Sequence, residues 1–416
     1  MQVIVIGGGV IGLATAWSLA RRGARVTVLE RDRCGAGASA GNAGWVTPGL
    51  SAPVPAPGVM RQTARWMLDP ASPLLVRPRA DLAFLRWSLR FARSCRPGAH
   101  RAGTAATLAL ARDAPAHFDL LRDEGVAFEM HEDGLLYLVR DERALQAWLD
   151  AYAELARLGF DGAVEPLDRA ALVALEPAVA GGAAAAGLLA GRERHVRPET
   201  LSAGLHDDLV ARGAAIEEGV AVEAVRPLGD GWRVQTAAGA QDADRVVVAA
   251  GVWSRGLLRG AGIDVPLEAA KGYSVTAPGP EPALRHPLYL TEAKVGASPF
   301  GGDQVRVAGT LELTGIDLAL NRRRVDAVVA GATAYVPGWR PAEGRAEWAG
   351  LRPLTADGVP IAGEARPGLF VATGHAMLGV TLAPSTGEAL APAVLGEAPP
   401  AALAGLSPLR FGRLPG

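Results

Sequence analysis

The chain has 416 residues, of which 49% are hydrophobic and 20% charged, and its formal net charge at pH 7 is -1. This composition predicts a globular chain with a substantial core, in one large domain or two of medium size. The near-neutral charge argues against nucleic acid as a partner. Its two cysteines, Cys34 and Cys95, are far apart, which argues against a disulfide framework and favours a reducing compartment.

Neither a metal site nor a membrane span is predicted. The seven histidines include no pair at the spacing of metal ligands. The apolar start "MQVIVIGGGVIGLATAWSLA" lacks the basic segment of a signal peptide, and glycines interrupt its apolar run. No stretch reaches the roughly 18 uninterrupted apolar residues that crossing a bilayer requires. We therefore expect a cytoplasmic protein.

The first thirty residues predict a βαβ unit built to hold a phosphate. "QVIVIG" is typical of a buried strand, "VIGLATAWSLARRG" of a helix that ends before Gly23, and "ARVTVLE" of a strand ending at Glu30. Gly7, Gly9 and Gly12 lie between the first strand and the helix at G-x-G-x-x-G spacing. They permit the tight turn, the approach of a pyrophosphate and the packing of helix on strand, respectively.

Glu30 is placed to accept hydrogen bonds from ribose hydroxyls, while the helix N-terminus faces the phosphate charge. The alternative is a purely structural glycine turn, which the two flanking strands and the acidic residue disfavour. NAD and FAD both bind this unit. Here strand–glycine–helix patterns recur in "VVVAAGVWS" and in "GLFVATGHAMLGVTLAPSTGEALA", and the segments around 213–243 predict a β-meander. A ligand held by such discontinuous pieces favours FAD over NAD.

Residues 37–58 are mostly Gly, Ala, Ser and Pro with almost no charge, which favours close packing against a ligand. Within them, Gly37-x-Ser39-x-Gly41 formally matches the nucleophile elbow of serine hydrolases. That motif requires a strand directly before it and a helix directly after it, and "RDRCGAGASAGNAGWVTPG" provides neither. The hydrolase interpretation is therefore set aside.

With "ASAGNAGWVTPG", "KGYSVT", "VRVAGTLELTG", "WAGLRPLTADGVPIAGE" and "GHAMLGVTLAPS", the chain resembles the FAD-dependent D-amino-acid oxidase-like superfamily, and within it the bacterial D-amino-acid dehydrogenases. These motifs are spread over essentially the whole chain. The resemblance implies an α/β fold, with a Rossmann-like FAD-binding domain and an interleaved α+β substrate domain built on an antiparallel sheet. The FAD domain would comprise 1–50, 190–265 and 345–400, and the substrate domain 51–189 and 266–344.

The reaction implied is oxidative deamination of a D-amino acid, with hydride transfer from Cα to flavin N5, giving a 2-oxo acid and ammonia. In this family an arginine in the position of Arg352 binds the substrate carboxylate, which suits a guanidinium fork. Tyr273 matches a tyrosine that hydrogen-bonds the same carboxylate. The alternatives are a surface salt bridge for Arg352 and a buried structural tyrosine for Tyr273.

The resemblance also implies the FAD contacts. Ser39 would touch phosphate, and Asn42, Ala43 and Gly44 would present backbone to the isoalloxazine ring. Val222 would read adenine through its backbone, unless it is an ordinary strand valine. The remaining contacts implied are Arg31, Ala250, Gly251, Gly374, Leu378, Gly379, Val380 and Thr381. The last four begin a helix whose N–H groups would stabilise the reduced flavin.

Three further expectations concern single residues. Lys271 and Lys294 are the only lysines, and Lys294 is expected to tune flavin reactivity, with chance retention as the alternative. His375 is assigned no catalytic role. No cysteine follows Cys95, so the covalent attachment some relatives use is excluded and FAD is expected to be non-covalent.

The segment "ADLAFLRWSLRFARSCRPG" predicts a helix with Arg86, Arg90 and Arg93 on one face and leucines on another. Two interpretations stay open: a weak peripheral contact with the inner face of the cell membrane, or a docked helix with a solvated basic face. The electron acceptor, quinone or O2, is also open. So is the substrate, since sarcosine-, glycine- and hydroxyproline-type enzymes share this framework and pocket-wall residues such as Trp45 and Met60 do not decide it. A flavin-binding subunit without turnover is disfavoured by Arg352 and Tyr273 together.

Overall fold

Two large β-sheets organise the chain, whose structure is a computed structural model describing residues 1–67, 69, 72–77, 79, 81–342 and 345–412. The strands are β1 Gln2–Ile6, β2 Arg25–Glu30, β3 Trp45–Val46, β4 Leu74–Val76, β5 Met130–His131, β6 Leu135–Val139, β7 Glu165–Leu167, β8 Ala186–Ala190, β9 Arg194–Val196, β10 Ala215–Glu218, β11 Val222–Leu228, β12 Gly231–Thr236, β13 Gly239–Ala243, β14 Arg245–Val248, β15 Leu267–Pro278, β16 Leu288–Leu290, β17 Val295–Phe300, β18 Gln304–Leu313, β19 Ala346–Thr355, β20 Ile361–Arg366 and β21 Leu369–Thr373. The α-helices are α1 Val10–Arg21, α2 Val59–Trp66, α3 Leu82–Ser94, α4 Pro97–Ala111, α5 Ala114–Asp123, α6 Glu142–Arg157, α7 Arg169–Leu175, α8 Pro198–Ala211, α9 Ser254–Gly260, α10 Arg322–Tyr335 and α11 Gly379–Val394.

The first sheet has the strand order β10-β2-β1-β14-β21-β20 and is parallel except for β20 at its edge. Its central strands are apolar runs buried on both faces, as a parallel sheet covered by helices requires. Helices α1 and α11 pack together on one face. They approach so closely that a Cβ on Gly387 would lie 2.5 Å from the carbonyl oxygen of Ala14.

The predicted βαβ unit is present as β1, α1 and β2, and Gly23 follows α1 with φ +83°, the left-handed conformation typical of a helix C-terminus. One strand differs from the expectation. β10 lies within the segment predicted as meander but pairs in parallel with β2, with Ile216 opposite Val28. The meander is formed by β11, β12 and β13 alone.

The second sheet is mainly antiparallel, with the order β19-β15-β18-β17-β16-β6-β8-β7 and β4 beside β18. One face carries larger side chains such as Val275, Val295 and Val307, which form a core with α10. Side chains alternate between the faces of a strand, so the residues between them lie on the opposite face. That face is mostly small: Ala270, Gly272, Ser274, Gly296, Ala308 and Gly350. It forms a floor that borders the cavity, and its glycines make space for side chains that lie on it: Arg352 over Gly272, Trp45 over Gly296 and Trp348 over Gly350.

β19 belongs to this second sheet, although it lies within the 345–400 segment expected in the FAD domain. It pairs with β15 along its whole length, with Gly350 opposite Gly272. The division into domains remains a prediction, and sheet membership would place this boundary after Thr355. Short segments that connect elements of the two large sheets form a small third sheet with the strand order β3-β9-β5.

Helix α3 docks through its aromatic side. Phe84 and Trp87 are 8% and 3% exposed and pack against Leu313 and Leu354. The leucine stripe faces outward: Leu82, Leu85 and Leu89 are 71%, 54% and 52% exposed. Within the part of the chain that the structure describes, no helix combines the length and apolarity needed to cross a bilayer.

Candidate active site

A cavity of about 1720 Å³ is bordered by both large sheets and collects most of the predicted site residues. Those that line it are Gly7, Gly9, Glu30, Arg31, Ser39, Asn42, Ala43, Gly44, Val222, Ala250, Gly251, Tyr273, Lys294, Arg352, Leu378, Gly379, Val380 and Thr381. Gly12 and Gly374 lie outside the lining and have packing roles. A Cβ on Gly12 would lie 1.9 Å from the Gly7 carbonyl oxygen, so Gly12 lets α1 sit directly on β1. Gly374 occupies a turn at φ +78°.

One end of the cavity is formed by the glycine turn and the start of α1. The backbone N–H of Val10 donates to Ser39 Oγ at 3.0 Å, which fixes the serine at the helix N-terminus. The Glu30 carboxylate, at the end of β2, accepts from the backbone N–H groups of Gly8 at 2.7 Å and Asp32 at 2.9 Å. Backbone amides, a hydroxyl and a carboxylate therefore converge where a dinucleotide would place its phosphates and ribose.

Arg31 and Trp253 close the same end. The Arg31 guanidinium lies 3.6 Å from the centre of the Trp253 ring, within cation–π range. Val222, at the start of β11, and Gly251, with φ +53°, line the cavity beside them. The end of the cavity predicted to take adenine is thus built from backbone and flat side chains.

The small-residue segment after β2 crosses the middle of the cavity and is held in place from the second sheet. Arg306 on β18 donates to the carbonyl oxygens of Ala40 and Asn42, both at 3.1 Å, and pairs with Glu199. Ser298 on β17 donates to the carbonyl oxygen of Ala43 at 2.7 Å. Neither Arg306 nor Ser298 was predicted. Each is flanked by apolar or small residues, Val305 and Val307 for Arg306 and Ala297 and Pro299 for Ser298, which is the sequence signal for an inward polar role.

The segment is also fixed to α11. Thr381, in the first turn of α11, donates through Oγ1 to the carbonyl oxygen of Trp45 at 2.9 Å and accepts from the Thr47 N–H at 3.2 Å. Gly44 adopts φ +74°, and a Cβ there would lie 1.9 Å from the Val196 carbonyl oxygen. Only glycine fits at this position.

Arg352 on β19 is a half-buried cation without an acidic partner among the described residues. Its Nη1 donates to the carbonyl oxygen of Thr310 at 3.0 Å. Burial lowers the pKa of Arg352 to about 10, and no nearby carboxylate offsets this. Part of its surface faces the cavity. A half-buried guanidinium without a counter-charge is costly unless a ligand supplies the missing anion, which makes Arg352 a candidate anion-binding group.

Two backbone features give Arg352 its place. Gly272, opposite Gly350 in the sheet, leaves the space that the guanidinium fills, since a Cβ there would lie 2.1 Å from Arg352 Nη1. Thr310 adopts φ +66°, which is rare for a β-branched residue, at a bulge between β15 and β18. The carbonyl that accepts from Arg352 belongs to this strained residue.

The structure does not bring Tyr273 to Arg352. Arg352 lies opposite Ala270 and its guanidinium sits over Gly272, so the adjacent Tyr273 projects from the other face of the sheet. Although Tyr273 borders the cavity, it is 1% exposed, and its side chain belongs to the core that includes α10. Its hydroxyl lies near Lys271 and Glu312, and burial raises the pKa of Tyr273. The geometry therefore favours the structural alternative for this tyrosine.

The two lysines occupy different surroundings. Lys271 is 2% exposed, and its Nζ donates to Asp317 at 2.8 Å and to the carbonyl oxygen of Ala319 at 3.0 Å. Lys294, with φ +55° in the turn between β16 and β17, lines the cavity. Its Nζ lies 5.9 Å from the centre of the Tyr289 ring and has no ion pair among the described residues. Desolvation lowers the pKa of Lys294.

Neither His375 nor the two cysteines has the properties of a catalytic group. His375 donates to or accepts from Thr386 Oγ1 at 3.0 Å, and burial lowers its pKa to about 3, so it stays neutral. Cys34 and Cys95 are free and partly buried. Burial raises the pKa of Cys34 to about 12, which keeps it a thiol rather than a reactive thiolate.

A family model for FAD-dependent oxidoreductases, DAO, matches residues 2–393. The chain belongs to this family. It is 37% identical to a D-amino acid dehydrogenase of Methylobacterium radiotolerans over 414 residues, covering 96% of this chain and 97% of the relative. It is 34% identical to a D-amino acid dehydrogenase of Granulibacter bethesdensis, again over 96% of this chain and 97% of the relative.

Among solved structures, the fold of this DAO-family chain is similar to that of glycine oxidase from Geobacillus kaustophilus. The TM-score is 0.77 at 25% identity, and 98% of each chain is covered. The cofactor of the family is FAD. The cavity fits it on its own evidence, because the glycine cradle, the Glu30 carboxylate and the N-terminus of α11 line one continuous space. The resemblance noted from the sequence is thereby confirmed, and the chain is an oxidoreductase with a Rossmann-like fold.

Proposed function

We propose that this enzyme oxidises a D-amino acid with non-covalent FAD, giving a 2-oxo acid and ammonia. The observation that carries the proposal is Arg352, a half-buried guanidinium that faces the cavity without an acidic partner among the described residues. The curated relatives named D-amino acid dehydrogenase support the substrate class. FAD, when bound, supplies the hydride acceptor at N5 of its flavin.

The work of the protein is to bind and orient the substrate. The guanidinium of Arg352 takes the α-carboxylate as a fork, while the Thr310 carbonyl holds Nη1 and so fixes the direction of the remaining N–H groups. The apolar cavity keeps water away from Cα. Fixing the carboxylate restricts Cα to one position relative to the small-residue segment, which is how orientation lowers the barrier.

Two further groups act on the flavin in this proposal. The first turn of α11, from Gly379 to Thr381, borders the cavity with its N-terminal end, where backbone N–H groups favour negative charge. It would stabilise the reduced, anionic coenzyme. Lys294, the cation beside Tyr289, would tune the reactivity of the reduced coenzyme.

Oxidation of a sarcosine-, glycine- or hydroxyproline-type substrate is the second candidate, and its glycine-type form is favoured by the similarity to a glycine oxidase, at 25% identity and a TM-score of 0.77. A flavin-binding subunit without turnover is disfavoured, since it would have no use for the unpaired Arg352. An anaerobic screen of D-amino acids, L-amino acids and cyclic secondary amines separates these possibilities. We expect D-amino acids to bleach the oxidised flavin absorbance; bleaching only by secondary amines, or by nothing, would contradict the proposal.

We also propose that α3 contacts an anionic lipid surface, which would bring the enzyme to a quinone acceptor. Leu82, Leu85 and Leu89 form an exposed stripe. Arg86 and Arg90, also exposed, flank it and would complement anionic head groups. Phe84 and Trp87 hold the other side of the helix in the protein, so the stripe is presented on a fixed helix. If O2 accepts the electrons instead, re-exposure of reduced enzyme to air restores the spectrum rapidly.

A further inference from the structure

We infer that the site takes D-amino acids with a large aromatic or apolar side chain and disfavours those with a cationic one. This rests on the proposed function and concerns the part of the cavity beyond Arg352. There Trp45, Trp148 and Tyr289 form what we call the aromatic wall, and all three line the cavity. The sequence indicated only Trp45 as a pocket-wall residue; Trp148 and Tyr289 were not indicated, because they come from the distant elements α6 and β16.

The aromatic wall lies at the distance of a side chain from the carboxylate anchor. Thr310, which holds Arg352, is on β18; Gly296 is on the neighbouring β17, and Tyr289 is on β16 beyond it. Adjacent strands are roughly 4.8 Å apart, so the wall begins about one to two strand spacings from the guanidinium. A substrate fixed by its carboxylate can therefore extend an aromatic side chain over the floor to this wall, whereas a methyl group would not reach it.

The aromatic wall is rigid before any ligand binds. Trp45 Nε1 donates to Ser298 Oγ at 2.9 Å, and its ring lies directly on Gly296, where a Cβ would be 2.5 Å away. The ring centre of Tyr289 is 5.6 Å from that of Trp45 and 5.7 Å from that of Trp148, both edge to face. Such mutually packed rings present a fixed surface on the cavity side against which a further aromatic ring can pack without rearrangement.

The charges around the aromatic wall exclude a cationic side chain. Lys294 lies beside Tyr289. Of the acidic residues that line the described cavity, Glu30, Asp32 and Glu223 surround the dinucleotide end. The fourth, Glu154, is already paired with Arg101 at 2.8 Å and Arg157 at 2.9 Å. A guanidinium or ammonium side chain would thus meet a like charge and no free carboxylate.

The test compares kcat/KM for D-phenylalanine, D-alanine and D-arginine with an artificial acceptor on the FAD-loaded enzyme. We expect D-phenylalanine to exceed D-alanine at least tenfold and D-arginine to be the poorest. In Trp148→Ala, kcat/KM for D-phenylalanine should fall at least tenfold more than that for D-alanine. Trp148→Phe, which keeps an aromatic ring, should restore most of the difference. The comparison between two substrates on one variant separates a pocket effect from general damage to the fold.

Three results overturn the inference alone, and the first two are turnover of D-alanine as fast as that of D-phenylalanine and equal losses for both substrates in Trp148→Ala. A preference for D-arginine would overturn it as well. Failure of all three D-amino acids to reduce the flavin would instead overturn the proposed function, and the inference with it.

Discussion

The guanidinium of Arg352 occupies the space above Gly272 that any side chain at that position would need. A Cβ on Gly272 would lie 2.1 Å from Nη1 and 2.5 Å from Cζ of Arg352. Gly272 pairs regularly with Gly350 on β19, and its φ lies outside the left-handed region, so the backbone accepts alanine there even though the pairing with β18 is bulged at this point. The neighbour that must move is the flexible end of the arginine. One methyl group at this position therefore tests the site without breaking the fold.

We predict that Gly272→Ala weakens the binding of simple carboxylates tenfold or more while the melting temperature stays close to that of the parent. Displacing the guanidinium removes the hydrogen bonds that a carboxylate would accept. Titration with benzoate, followed in the flavin spectrum, measures the affinity. Gly260→Ala at the end of α9, where a Cβ meets open space, is the matched control. If Gly272→Ala and Gly260→Ala bound benzoate equally well, Arg352 would not be part of the carboxylate-binding site.

Arg352→Leu should reduce carboxylate affinity by roughly 10- to 100-fold, because hydrogen bonds to a charged group contribute about 1.5–3 kcal/mol. The carboxylate affinity of Arg352→Lys should lie between those of the parent and Arg352→Leu, because lysine keeps the charge but loses the forked guanidinium. Burial lowers the pKa of Arg352 to about 10, so carboxylate affinity in the parent should decline as the pH rises through 10. Arg233→Leu, which removes an exposed partner of Asp242, is the control. If Arg352→Leu bound carboxylates as tightly as the parent, the assignment of Arg352 to the carboxylate-binding site would be wrong.

Lys294→Arg should change the rates of flavin reduction or reoxidation in stopped-flow experiments by severalfold, if a compact ammonium beside Tyr289 is what the site requires. Lys294→Met should change them more. Unchanged rates in both variants would mean that this lysine is retained by chance. The control is Arg323→Lys on α10, which exchanges arginine and lysine at an exposed position away from the site.

Glu193→Gln should flatten the pH dependence of stability. Glu193 is 2% exposed, accepts from the Gly49 N–H at 2.9 Å, and its pKa is raised by burial to about 8. The folded state therefore keeps this proton after the unfolded chain has lost it, so stability is lost as the pH rises from about 4.5 to 8. Over this pH range, the free energy of unfolding measured with urea should fall on the kcal/mol scale in the parent, and it should fall less in Glu193→Gln.

The exposed Glu165→Gln serves as the control for that experiment. Parallel pH curves for parent and Glu193→Gln would show that the carboxyl is already ionised in the folded protein, against the burial argument.

Binding to vesicles should depend on the outer face of α3. We expect the enzyme to co-sediment with vesicles that contain phosphatidylglycerol and not with pure phosphatidylcholine, and Leu85→Glu with Leu89→Glu should abolish this. Leu228→Glu, which alters a leucine 41% exposed at the end of β11, should leave it intact. If the parent and all variants co-sedimented with the vesicles equally, or if the parent did not co-sediment at all, the proposed contact of α3 with lipid would be wrong.

Some of the site was predictable because its signals are local. The glycine turn, Glu30 and the small-residue segment are close in sequence, and each requires particular residue types for steric reasons. The orientation of Tyr273 was not predictable. β15 is buried on both faces, so alternation says which residues share a face and not which face borders the cavity.

Arg306 was missed for a related reason. Its partners, the carbonyl oxygens of Ala40 and Asn42, are more than 260 residues away in the chain, and backbone acceptors leave no trace in composition. Helix α3 carries two apolar stripes, aromatic and leucine. Packing against Leu313 and Leu354 decides which one is buried, and that fit exists only in the folded chain.

The contact of α1 with α11, in which the Gly387 backbone lies against Ala14, joins the first twenty residues to the last forty. More than 350 residues separate α1 from α11, so the ribosome delivers α11 long after α1. The nascent chain therefore completes the wall of its coenzyme site only once α11 has emerged. Truncations that stop short of α11 should leave a glycine turn unable to retain flavin, however well the earlier strands have formed.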